Sequence, residues 1–106
     1  MDNLRLIKGL KEYLKYKFGN NISELVLFGS RLKGTAGEYS DFDIVLILEN
    51  DYDWKYKREI YNSIFDYCLE KDIFIDCHLI SKNEIEHSHR GSESLFQDAL
   101  KNGLYA

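Results

Sequence analysis

Apolar residues recur at three- and four-residue spacing through the first segment, at Leu4, Ile7, Leu10, Leu14 and Phe18. Asp2 and Asn3 precede them as caps and Gly19 follows, so the pattern predicts an amphipathic helix with a glycine stop. Ile22 to Phe28 is short, apolar and rich in β-formers, and it runs into Gly29 and Ser30, which predicts a strand. From Asp41 to Leu48 charged and apolar side chains first alternate and then become continuously apolar, as in a strand entering the middle of a sheet. A second long helix is predicted over Asp53 to Leu69, with Trp54, Ile60, Tyr61, Ile64, Phe65 and Cys68 as its stripe and Asp51 or Asp53 as its cap. Ile73 to Ile80 reads as a third strand, and Ser81 with Glu84 three residues on forms a capping box for a short helical turn. Leu95, Phe96, Ala99 and Leu100 make a last helical stripe between Ser92 or Ser94 and Gly103. The order helix, strand, strand, helix, strand, helix predicts an α/β (α+β) chain, a small mixed sheet with flanking helices.

Composition narrows the function. The 106 residues fit one compact domain over 1–106, with no Pro-rich or low-complexity stretch to act as a linker. An aromatic content of 14% excludes intrinsic disorder as the main state. The net charge of -4 supplies no global basic field, so a direct nucleic-acid partner is not expected. The longest mainly apolar run, Ile44 to Leu48, falls far short of the roughly 20 residues of a membrane span. The amino terminus lacks the apolar block of a signal peptide, and a cytoplasmic location is expected. Cys68 and Cys77 show no metal-ligand spacing and read as reduced, buried, small apolar residues.

Chemistry concentrates in Leu27-Phe28-Gly29-Ser30-Arg31-Leu32-Lys33-Gly34 and in Asp41-Phe42-Asp43. Gly29 and Ser30 stand where a strand ends and a short helix can begin, so their N–H groups and the Ser30 hydroxyl can face a phosphate, with Arg31 and Lys33 adding positive charge. Asp41 and Asp43 are two apart on a strand and leave the same face roughly 6 to 7 Å apart, where they can share magnesium ions. Asp76 sits inside an apolar strand, where an unpaired buried carboxylate would cost several kcal/mol, about the worth of a whole domain's margin. A third strand lying beside the second would let Asp76 complete a triad with Asp41 and Asp43, relieved by divalent cations. Such a set suits phosphoryl-type transfer from a nucleoside triphosphate.

Gly29-Ser30, ten intervening residues, Asp41-x-Asp43 and a later strand Asp76 together resemble the nucleotidyltransferase superfamily related to DNA polymerase beta, and within it the minimal nucleotidyltransferases. The likeness extends over nearly the whole chain, including the Ser40-Asp41 junction and the ending Asn102-Gly103-Leu104-Tyr105. The resemblance implies that Asp41, Asp43 and Asp76 are catalytic and hold two Mg2+ ions, with Asp76 as or beside the base. It implies that Gly29, Ser30, Arg31, Lys33 and Ser40 bind the nucleotide, ATP. It further implies an antitoxin that adds AMP to a tyrosine of a HEPN-type toxin held in a heteromeric complex. An antitoxin that inhibits by binding alone is the alternative, and an enzyme acting on a small molecule is a third. Leu32, Lys33 and Phe42 depart from commoner family residues, which touches affinity more than mechanism.

Outside that set, His78 should share a strand face with Asp76 and can touch a phosphate, orient a carboxylate or hydrogen-bond at a sheet edge. His87 and His89 read as part of a solvated loop that Arg90 and Gly91 extend. Tyr13, Tyr16, Tyr52, Tyr56, Tyr61 and Tyr67 read as core or partner contacts, and Lys55, Lys57 and Arg58 as a solvated helix face.

Overall fold

A computed structural model describes residues 3–29 and 42–106. Helix α1 (Asn3–Phe18) passes through a 3-10 turn into β1 (Ile22–Phe28), and β2 (Phe42–Leu48), α2 (Trp54–Lys71) and β3 (Ile75–Ser81) follow. The chain closes with α3 (Lys82–His87), α4 (Ser94–Asn102) and the two-residue β4 (Leu104–Tyr105). The sheet order is β3-β2-β1-β4. β1 is antiparallel to β2 and to β4, whereas β2 and β3 run parallel. That mixed sheet with flanking helices is the expected class, and the parallel pair is what the α2 crossover requires, since parallel neighbours cannot be joined by a tight hairpin.

Alternation along the strands sorts side chains onto two faces. Leu25, Leu27, Ile44, Leu46, Leu48 and Leu79 join Ile7, Leu10 and Leu14 of α1 and Ile60, Ile64 and Tyr67 of α2 in one cluster. Val26, Val45, Ile47 and Ile80 meet Phe96 and Ala99 of α4 on the other. The pairing of β1 with β2 shifts between Ile22 and Glu24, and this bulge lets Ile22 join Leu25 and Leu27 on the α1–α2 face despite the odd spacing. β4 pairs with Val26 and Leu27. It can do so because position 103 is glycine: a Cβ there would strike Ala99 O and Val26 Cγ1 and come within 3.0 Å of Leu27 O.

Several expectations are corrected. The inner face of α2 is Ile60, Ser63, Ile64 and Tyr67, while Trp54 and Phe65 of the predicted stripe are mostly exposed. Trp54 is the first residue of α2, off its buried face, and its ring carries Arg58 Cζ 5.1 Å from its centroid. Cys68 and Cys77 are thiols not joined in a disulfide, and they are half-buried where full burial was expected. His89 to Ser92 form a 3-10 turn where a loop was expected, and His87 closes α3. Among the tyrosines, Tyr16 is 90% exposed, whereas the Tyr67 hydroxyl donates to Leu6 O at 2.8 Å inside the core.

The capping box forms as read: Glu84 N donates to Ser81 Oγ at 3.1 Å and Ser81 N donates to Glu84 Oε1 at 3.1 Å. Ser81 is fully buried and its hydroxyl also donates to Asp51 Oδ1 at 2.7 Å, tying α3 to the turn after β2. Ser81→Ala removes both, and an N-cap loss of about 1 kcal/mol should lower the melting temperature by about 4 °C or more. A thermal melt with an unchanged midpoint would remove the cap from the fold's stability.

β3 is an edge strand, and its outward carbonyls are covered by α2-side hydroxyls: Tyr61 donates to Cys77 O at 3.2 Å and Tyr52 to Leu79 O at 3.3 Å. Burial pushes the Tyr52 hydroxyl up to about 12 and the Cys77 thiol up to about 12, and raises Tyr61 in the same direction. Each folded-state value lies above the unfolded one, so the stability these groups contribute is complete below about pH 9 and is lost as pH rises towards 12. Melting temperature should therefore fall steadily from pH 9 to pH 11, and a flat profile there would show that the three groups titrate as freely folded as unfolded.

Candidate active site

β1 ends and β2 and β3 begin at the same end of the sheet. The antiparallel register sets Phe28 opposite Asp43, and the parallel register sets Asp43 beside Asp76. Since His78 follows Asp76 by two on one strand, it faces the same way. Asp43, Asp76 and His78 each place one ligating atom within 4.8 Å of the others. The expected meeting of Asp76 with the second strand is thus present for Asp43. Asp41 lies outside the described residues, as do Ser30, Arg31, Lys33 and Ser40.

Burial of Asp76 is the expectation that fails. Its side chain is 55% exposed, because β3 is an edge strand and Phe74 just before it is itself 66% exposed. No burial cost therefore demands a partner for Asp76. The His78 ring is held between Phe28, 5.8 Å between centroids, and Phe96, 6.4 Å away and edge-on. Its Nε2 stands 3.5 Å from Asp76 Oδ2.

Gly29 turns the chain out of β1 with φ of +82°, a region open to glycine and costly for L-residues. The requirement is double. A Cβ at position 29 would land on Asp43 Oδ2 and lie 3.2 Å from Asp43 Cβ, so the glycine leaves the room in which the carboxylate sits.

Behind this end, Arg90 donates to Glu84 Oε2 at 3.1 Å and to the Tyr52 hydroxyl at 2.9 Å, with its Cζ 5.1 Å from the Phe96 centroid. Burial raises the Glu84 carboxyl, but hydrogen bonds from Tyr52, Ser81 and Arg90 outweigh it and hold the group below its ordinary value. Arg90 thus braces Phe96, which in turn flanks His78. The contacts of Phe28 and Phe96 with His78 join three separate elements, so no spacing along the chain points to them.

A groove of about 580 Å3 opens beside Asp76 at the β3 edge, lined by Ile64, Phe65, Cys68, Leu69, Ile73 and Phe74 among others. Phe65, Leu69 and Phe74 are 62%, 66% and 66% exposed, an apolar surface of the kind that marks contact with another protein.

The family described as a nucleotidyltransferase domain matches residues 7–102, a span that holds β1, β2, β3 and every residue of this cluster. The chain belongs to that family. Two proteins of Methanocaldococcus jannaschii are similar to this nucleotidyltransferase domain, each named a putative protein adenylyltransferase. MJ1305 is 45% identical over 53 residues, 47% of this chain and 36% of its own length. MJ0604 is 35% identical over 54 residues, 51% of this chain and 54% of its own length. The matches thus span about a third to a half of those relatives. A crystal structure described as a toxin-antitoxin with AMP-PNP shares the fold, with a TM-score of 0.63, 21% identity, and coverage of 98% of this chain and 72% of that one.

Nucleotidyltransferases generally use a divalent cation and a nucleoside triphosphate, and the residues present fit such a cation. Two carboxylates and an imidazole converge on one face, and Gly29, without a side chain, leaves the Asp43 carboxylate its room. The donors are oxygen-rich, open to solvent on the Asp76 side and able to leave positions for water and phosphate oxygens.

Proposed function

We propose that the chain is a divalent-cation-dependent nucleotidyltransferase that moves AMP from ATP to a tyrosine hydroxyl of a HEPN-type toxin, and so acts as that toxin's antitoxin in the cytoplasm. The whole chain, 1–106, serves as one minimal domain, and the toxin supplies the acceptor surface. The observation that carries the reading is the convergence of Asp43 and Asp76 in direct register, with Gly29 at positive φ against Asp43. The names of the two relatives favour adenylyl transfer to protein, and that of the structural neighbour favours a toxin partner with an ATP analogue.

Asp43 and Asp76, with Asp41, would hold the cation, Mg2+ with two ions in the family pattern, and its charge would offset that of the triphosphate and of the developing transition state. The acceptor oxygen bonds to the α-phosphorus while the bond from that phosphorus to the β-bridging oxygen breaks, and pyrophosphate leaves. The hydroxyl proton passes to Asp76, whose exposed carboxylate faces solvent and an incoming side chain. Gly29 and Ser30 present backbone N–H groups to the triphosphate, with Arg31, Lys33 and Ser40 alongside. The apolar groove beside Asp76 gives the partner protein a place to rest while its hydroxyl reaches the site.

The test is to incubate the protein and Mg2+ with ATP labelled at the α- or the γ-phosphate and the co-expressed toxin from the same source. Label on the toxin from the α-position alone, with a mass gain of whole AMP groups on tyrosine, is expected. A toxin that is bound and silenced without gaining mass would replace this reading with inhibition by complex formation.

A further inference from the structure

The site as read from sequence surrounds the cation with carboxylates alone, yet one of the three donors that converge here is a nitrogen. We propose that His78 Nε2 ligates the cation held by Asp43 and Asp76, and that this mixed set makes the site prefer Mn2+ to Mg2+. The inference rests on the metal-dependent reading above, although ligation itself can be read without any transfer reaction.

Three observations support it. The 3.5 Å between His78 Nε2 and Asp76 Oδ2 is long for a hydrogen bond, whose heavy atoms usually lie about 2.7 to 3.2 Å apart. It suits two donors sharing one ion, because ligands at about 2.1 Å in an octahedral shell are about 3.0 Å apart when adjacent and about 4.2 Å when opposite. The full set spans 4.8 Å, so a contraction of about half an ångström closes it. Second, the ring is already held between Phe28 and Phe96, with Arg90 over the far ring, so little side-chain freedom remains to be lost on binding. Third, the other two histidines lack such company: His87 is paired only with the exposed Glu86, and no group of three possible ligands among the described residues includes His87 or His89.

The choice of ion follows from donor chemistry. Mg2+ favours all-oxygen shells and holds its waters, whereas imidazole suits transition ions, and Mn2+ accepts carboxylate, water and imidazole together. Two carboxylates with one imidazole are therefore a manganese set more than a magnesium one.

The experiment is three-pulse electron spin-echo envelope modulation on the full chain, stripped of metal and loaded with Mn2+, in wild type, His78→Ala, His78→Asn and His87→Ala. Nitrogen modulation from a directly bound imidazole is expected in wild type and His87→Ala and is expected to vanish in both His78 variants. Titration of the free Mn2+ signal should show affinity falling about tenfold or more in the His78 variants, with a smaller loss for Mg2+ measured by competition. Circular dichroism melts show which His78 variant keeps the fold, and that variant decides. Bound Mn2+ without imidazole modulation in wild type would overturn the proposal and leave the carboxylate site standing. Failure to bind Mn2+ at all would overturn both.

Discussion

Asp43→Asn should reduce AMP transfer about a thousandfold, equivalent to about 4 kcal/mol of transition-state stabilisation, while leaving the fold intact. The side chain keeps its size, so the half-buried position between Gly29 and Asp76 remains filled. What changes is charge. An amide offers a cation one weak neutral oxygen in place of a carboxylate, and the donors that remain carry one negative charge fewer against the phosphates. Initial rates with α-labelled ATP, at saturating Mg2+ and Mn2+ in turn, give the comparison. A loss under tenfold in both metals would take Asp43 out of the reaction.

Gly29→Ala should cost about a hundredfold in transfer rate, with about 1 to 2 kcal/mol of stability lost to the left-handed backbone. The larger effect comes from the methyl group, which claims the space of Asp43 Oδ2 and forces the carboxylate out of the position it takes beside Asp76 and His78. Gly19→Ala separates the two contributions. Gly19 also has positive φ, +69°, but a Cβ there would meet nothing within 4 Å. It should lower the melting temperature by a similar amount and leave the rate unchanged. Equal rates for the two variants would place Gly29 outside the active arrangement.

Local features were legible in the sequence and relational ones were not. The Ser81–Glu84 box lies within four consecutive residues, so its donors and acceptors could be named from spacing alone. The face shared by Asp76 and His78 follows from a period of two, and the pairing of Asp43 with Asp76 needed only the correct neighbour for the third strand. Exposure of Asp76 depends on strand order, since the same apolar run would be buried in a central strand and is half open at an edge. The bulge at Ser23 and the two-residue β4 escaped for a different reason. One is a register shift that only the partner strand defines, and the other is too short to carry a period. Trp54 and Phe65 lie on the wrong arc: at about 100° per residue they fall about 120° and 140° round the helix from Ile60, well off the face of Ile60, Ser63, Ile64 and Tyr67.

The two tyrosine hydroxyls on the rim of β3 bear on how this protein survives its own architecture. Asp76 stands on a strand at the border of its sheet, and a bare border invites copies of the same chain to add on and grow into fibrils. Tyr52 and Tyr61 occupy the carbonyls of Leu79 and Cys77, leaving accessible mainly the stretch nearest Asp76. The border is thereby divided along a single strand, with one half stoppered against self-assembly and the other, around Asp76, left open.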